Sequence, residues 1–238
     1  MMWGRVLSTD FIKIRGKGIW FLVFLGPIGL IAMQALNFGL RYDYLMEEYK
    51  VDLWGGLIDN LIMFIPMSLI MGITLVCSLM ANVEHQMSSW KQLLALPVSR
   101  MTVFSAKFGL GVILLLVSCA LLVLGTIALG LGLQLGTDIP YQDIVRFCFL
   151  PFIGIFPILV LQLWLSLTYF NQAISVSIGI TIAISSLFAT KYDEWVPMKW
   201  PNMALDGPHQ IEAIVASVFV GFTVLLLGMA HFSRKDVA

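Results

Sequence analysis

The stretch NVEHQMSSWKQLLALPVSRMTVFSAK, Asn82 to Lys107, is the one long polar interruption between two strongly apolar segments. Ser89 and Gln92 stand in the spacing of a capping box, in which a hydroxyl and an amide three residues on satisfy backbone N–H groups reciprocally, so a short helix starts at Ser89. Pro97 ends it, having no N–H and a ring that clashes with the preceding turn. Met87, Trp90 and Leu94, with Leu93 alongside, fall near one face, while Lys91 and Gln92 point elsewhere. The spacing predicts a compact amphipathic helix held outside the membrane between two spans, where the chain meets a soluble partner.

That frame needs the flanking segments to be membrane spans, and the composition requires it. The 238 residues are 59% hydrophobic and 12% charged, with a mean hydropathy of +0.92, whereas soluble domains are about a quarter charged. Apolar runs longer than about 18 residues recur, enough to cross a hydrocarbon layer about 30 Å thick. This is an all-α integral membrane protein whose core is a helix bundle plus lipid, organised as one domain over 1–238. A net charge of zero points to neither nucleic acid nor an acidic substrate. Cys77, Cys119 and Cys148 lie in or beside apolar runs and read as small buried hydrophobes.

Residues 1–18 place Trp3, Leu7, Phe11 and Ile14 near one helical face and most of the basic residues off it, although Asp10 and Ile12 spoil the segregation; the expectation is a helix lying on the membrane. Six spans follow at about 19–38, 57–81, 103–133, 147–168, 173–190 and 211–232. The first is too long for a signal-peptide core and is read as retained. Both termini then share one side. With that side inside, Arg5, Lys13, Arg15, Lys17, Lys91, Arg100, Lys107, Arg234 and Lys235 are cytoplasmic, against Arg41, Lys50, Arg146, Lys191 and Lys199 outside. The positive-inside rule places the termini and the opening stretch in the cytoplasm of a plasma membrane.

Several chemistries are missing. No G-x-x-x-x-G-K-[ST] loop occurs, so the chain does not hydrolyse ATP itself. His85, His209 and His231 are isolated in sequence, which argues against a metal site, and no nucleophile elbow or catalytic acid–base pair is present. Ionisable residues are nearly absent from the span centres, which disfavours an ion-driven carrier; Asp59 and Lys107 are expected near span ends, reaching the interface. The remaining polarity is neutral. Gln162 in the fourth span and Ser177, Thr181 and Ser185 along one face of the fifth either pack helices together or line a translocation route. In the loop 191–210, Asp193, Glu194, Trp195 and Trp200 among three prolines form either an aromatic interface belt or an outer surface that touches a cationic amphipathic substrate.

The order of second span, Glu84, WKQLLALPVSR from Trp90 to Arg100, and Lys107 opening the third span resembles the membrane subunits of ABC-2 type exporters. Glu84, Leu93, Leu94, Pro97, Ser99, Arg100 and Lys107 match that family's pattern of a glutamate, a coupling helix with a Leu-Leu pair, Pro-x-Ser-Arg and a lysine. The family's usual small polar pair before the helix is replaced by Ser88, Ser89 and Trp90, a departure similar to the lantibiotic-immunity and bacitracin-resistance permeases.

The resemblance implies a permease subunit without cofactors of its own, paired with a second permease copy or homologue in the lipid bilayer and with two ABC ATP-binding subunits that bind ATP and Mg. Glu84, Trp90, Lys91, Leu93, Leu94, Pro97, Arg100 and Lys107 would then couple to the ATPase, the apolar residues filling a groove and the charged ones setting orientation. The expected activity is ATP-driven export or expulsion of an amphipathic peptide antibiotic or lipid-like molecule. The competing reading is a membrane scaffold or sensor that docks a cytoplasmic partner through 82–107, or simply an interfacial helix with its tryptophan in lipid.

Overall fold

A computed structural model describes residues 2–86, 99–205 and 207–234, and the regular structure among them is helical throughout. The amphipathic helix expected from Ser89, with Trp90, Lys91, Leu93, Leu94 and Pro97, lies outside the described residues.

The chain opens with α1 (Met2–Lys13) and crosses the bundle as α2 (Ile19–Leu40). Two short helices, α3 (Tyr42–Glu48) and α4 (Leu53–Ile62), follow before α5 (Ile65–Gln86). The expected second span is therefore broken near Met63–Phe64, later than its expected start at Leu57. Pro66 sits in the first turn of α5, where a missing N–H costs nothing, and Asp52 caps α4 by accepting from Gly55 N at 2.8 Å.

After 87–98, the chain continues as α6 (Arg100–Gly132). Its start is fixed by Ser99, whose hydroxyl accepts from Thr102 N at 3.2 Å. The next apolar segment is two helices, α7 (Tyr141–Gly154) and α8 (Phe156–Thr168), bent by 50° at Ile155. Pro157 cannot donate the bond that would continue the helix, so the ladder breaks there. A tight turn at 169–171 leads into α9 (Gln172–Ser186), then a short 3-10 turn (Ala189–Lys191), α10 (Trp200–Met203) and α11 (Gln210–Arg234).

By length and composition α2, α5, α6 and α11 can each cross a membrane, and α7 with α8 counts as a fifth span if the bent pair crosses as one. The 15 residues of α9 fall short of that measure. α5 is the central element: 61% of its apolar window is enclosed, against 22–28% for α2, α6 and α11. It packs against α2, α6, α8 and α9.

Where α2, α5 and α6 meet, Pro27 lacks the N–H that would bond to the Val23 carbonyl. Ser118 of α6 supplies the donor, its hydroxyl 3.1 Å from Val23 O. A helix imperfection is thus repaired across the bundle. We call the end where α5 stops and α6 starts the loop end; α1, the 169–171 turn and the last turn of α11 share it.

Candidate functional site

At the loop end, α1 contributes Asp10 and Lys13, three residues apart and so on one helical face. Glu84 comes from the last turn of α5 and Lys107 from the second turn of α6. Glu84 Oε1 accepts from Lys107 Nζ at 2.8 Å and from Lys13 Nζ at 2.9 Å, with Glu84 Oε2 3.2 Å from Lys13 Nζ. Lys107 Nζ also reaches Asp10 Oδ1 at 3.3 Å. Ile14, Met80, Val83 and Leu110 close around the four charges.

Lys107 is only 3% exposed, Glu84 1% and Asp10 2%. The expectation that Lys107 reaches the interface is therefore corrected: its ammonium turns inward because two carboxylates await it there. Glu84 likewise is buried in its own bundle, bonded to both lysines. Two cations and two carboxylates cancel, which makes burial tolerable, and removing Glu84, which both lysines hold, would leave Lys107 short of counter-charge at low dielectric. Asp10 is the strained member. Among the described residues its Oδ2 has no hydrogen-bond partner, and burial pushes its carboxyl above the usual range, with Lys107 pulling it back only in part.

Sequence reasoning found Glu84 and Lys107 but not Asp10 or Lys13. The signal was present as the acid that broke the amphipathic pattern of residues 1–18. Arg100 is half-buried at the first position of α6.

Gln162, Thr74, Ser166 and Ser175 form a second polar group, entirely enclosed between α5, α8 and α9. Gln162 Nε2 donates to Thr74 Oγ1 at 2.9 Å and to Ser175 O at 3.2 Å, and the Ser166 and Ser175 hydroxyls lie 2.7 Å apart. The helices approach closely because Gly179 has no side chain; a Cβ there would collide with Gln162 Nε2 and Thr74 Oγ1. The other proposed polar residues part company with Gln162. Ser177 and Thr181 are exposed and Ser185 half-buried, on the face of α9 opposite Ser175 and Gly179.

At the far end, Asp193, Glu194 and Trp195 are exposed, but Trp200 is only 6% exposed and its Nε1 donates to Glu194 O at 2.8 Å. As placed, Trp200 holds the loop together instead of presenting a surface. His209 sits between Glu212 Oε2 at 2.9 Å, three residues on, and Glu194 Oε2 at 3.7 Å, so the expectation that it is isolated is corrected. Among the described residues no group of three or more His, Cys, Asp or Glu side chains is arranged to hold a metal ion. The three cysteines are free and buried.

Neither a curated protein nor a solved structure matches the chain. A family model described as ABC-2 family transporter protein matches residues 6–187, from within α1 through α9, and so includes all four members of the charge cluster. The chain belongs to the ABC-2 transporter family: it is a multi-pass membrane permease subunit of an ABC transporter, from a family that works with ABC ATP-binding subunits.

Proposed function

We propose that the chain is the membrane subunit of an ATP-driven exporter, and that 87–98 is where an ATP-binding subunit delivers its work. The observation that carries this reading is the placement of Glu84 and Lys107. They flank that segment on either side, and they are bonded to each other and to α1. A push on the segment is therefore received by one linked unit made of α1, the end of α5 and the start of α6. Trp90, Leu93 and Leu94 form the contact with the ATPase, and Lys91 and Arg100 orient it by charge. ATP and Mg bind in the partner subunits.

In the membrane, α1 serves as an interfacial elbow and the chain makes six crossings. The bent α7–α8 pair supplies the fourth. The 15-residue α9, about 22 Å long at 1.5 Å per residue, supplies the fifth together with the turn that extends it to Lys191. The basic residues then put both termini and the loop end in the cytoplasm. A second permease, identical or homologous, completes the transporter.

The cargo is an amphipathic peptide antibiotic or lipid-like molecule, expelled from the membrane or exported. The support is the Ser88–Trp90 departure in the loop and the exposed Asp193, Glu194 and Trp195 on the outer side. Co-expression with an ABC ATP-binding subunit tests the reading. Wild type should co-purify with it and show hydrolysis stimulated by bacitracin or a lantibiotic, and the L93E/L94E variant should lose the complex. A retained complex with stimulated hydrolysis in that variant would overturn it.

A further inference from the structure

Glu84 and His85 are consecutive on α5, so their side chains leave the helix about 100° apart. Glu84 faces α1 and α6. His85 faces the turn that joins α8 to α9: its Nε2 lies 3.4 Å from Ser166 O, and its ring meets Phe170 edge-on with centroids 5.2 Å apart. A carbonyl only accepts, so the nitrogen facing Ser166 carries a proton. The helix ends at Thr168, and Gln172 stiffens the turn from the other side, donating to Ser166 O at 3.0 Å and Tyr169 O at 2.8 Å. Asn171 caps α9 through Ala173 N at 3.0 Å.

Thr74 lies eleven residues before His85, about three helical turns and so on the same face of α5. It accepts from Gln162 at 2.9 Å. One face of α5 is thus tied to the α8–α9 hairpin at two levels, deep in the bundle through Thr74 and at the loop end through His85. The neighbouring face is tied to α1 and α6 through Glu84.

We infer that His85 is a positioning residue that makes the α8–α9 hairpin travel with the loop end of α5. Displacement of 87–98 then divides at two adjacent residues: Glu84 passes it to α1 and α6, and His85 passes it to the hairpin. This rests on the coupling reading above and adds to it a second route, whose moving part is the turn 169–171.

The test uses the complex with its ATP-binding subunit, spin-labelled at Val51→Cys, an exposed position between α3 and α4 at the far end and outside the linked unit, and at Tyr169→Cys in the turn. The label–label distance is measured by electron paramagnetic resonance without nucleotide and after trapping with ATP and vanadate. In the His85 background the distance should shift on trapping. In H85A the shift should fall to less than a third while complex yield and basal hydrolysis stay within twofold. H85Q, which keeps a donor of similar reach, should restore most of it, and F170L, which removes the ring partner, should reproduce the loss independently. A full shift in both H85A and F170L, or no shift in the His85 background, overturns the inference. Failure of the ATP-binding subunit to co-purify with the His85 form overturns instead the coupling reading beneath it.

Discussion

Glu84 and Lys107 are separated by 23 positions in the chain, yet their charged atoms lie 2.8 Å apart, in surroundings almost closed to solvent. The pair closes the base of the loop that contains 87–98, and Lys13 and Asp10 anchor that base to the amino-terminal helix. A loop with a closed base moves its two flanking helices together. A loop with a frayed base absorbs the push locally.

The four charges are not equivalent, and conservative replacements should show it. Glu84 is held by both lysines, so E84Q leaves the buried Lys107 and the half-buried Lys13 short of a partner, at a cost of about 3–5 kcal/mol, most of it at Lys107. Thermal unfolding of the detergent-solubilised protein should then fall by roughly 6 °C or more.

D10N should behave in the opposite way. Burial raises the Asp10 carboxyl, and a carboxyl raised in the fold contributes stability below its unfolded pKa and loses it as the pH rises through its folded value. The melting temperature of D10N should therefore match or exceed that of the parent at pH 7, with the difference shrinking toward pH 4. A large loss at pH 7 would count against this account of Asp10.

Removing the ammonium along with the carboxylate should hurt less than the separate losses imply. E84Q/K107M leaves Lys13 and Asp10 to pair across the vacated space, so the double-mutant cycle should show a coupling of about 1–3 kcal/mol. Additive losses would mean that the two residues do not interact in the folded membrane protein.

Between α2 and α6, the Ser118 hydroxyl compensates for Pro27. S118A should cost about 0.6–1.7 kcal/mol in the parent, the range for interhelical hydrogen bonds in a bundle. In a P27A background, where residue 27 supplies its own N–H to Val23 O, the same substitution should cost little. Equal costs in both backgrounds would show that the bond plays no such part.

Gly179 gives the sharpest packing test. Any side chain there meets Gln162 and Thr74, so G179L should destabilise the protein by about 1–3 kcal/mol or more. S177L, on the exposed side of the same helix, should leave stability nearly unchanged. The comparison separates the two faces of α9 in one experiment.

Much of this architecture was legible because long apolar runs and polar breaks depend on local composition alone. Helices over 19–40, 100–132 and 210–234 cover the stretches expected as spans at 19–38, 103–133 and 211–232, and the turn at 169–171 falls in the gap between the stretches expected at 147–168 and 173–190. The break before Pro66 and the bend at Ile155 were harder to see, since proline is tolerated both within a span and at the start of a new helix. The charge cluster was half legible. Glu84 and Lys107 stood out by family pattern, but Asp10 and Lys13 acquire meaning only once α1 folds back across the ends of α5 and α6, a contact nearly a hundred residues long in sequence. Trp200 and Gln162 show the same limit: burial is a tertiary property, and each side chain's hydrogen-bond partner lies on a different local element or across the bundle.

The central claim is that the closed base at Glu84 and Lys107 carries the work of the ATP-binding subunit into the bundle. It is tested most directly by substrate-stimulated ATP hydrolysis in the reconstituted complex, comparing the parent with E84Q and E84Q/K107M. Both variants should co-purify with the ATP-binding subunit and keep basal hydrolysis within about twofold, while stimulation by bacitracin or a lantibiotic falls by about tenfold, the equivalent of about 1.4 kcal/mol of lost coupling. Stimulation that persists at the parent level in both variants would contradict it.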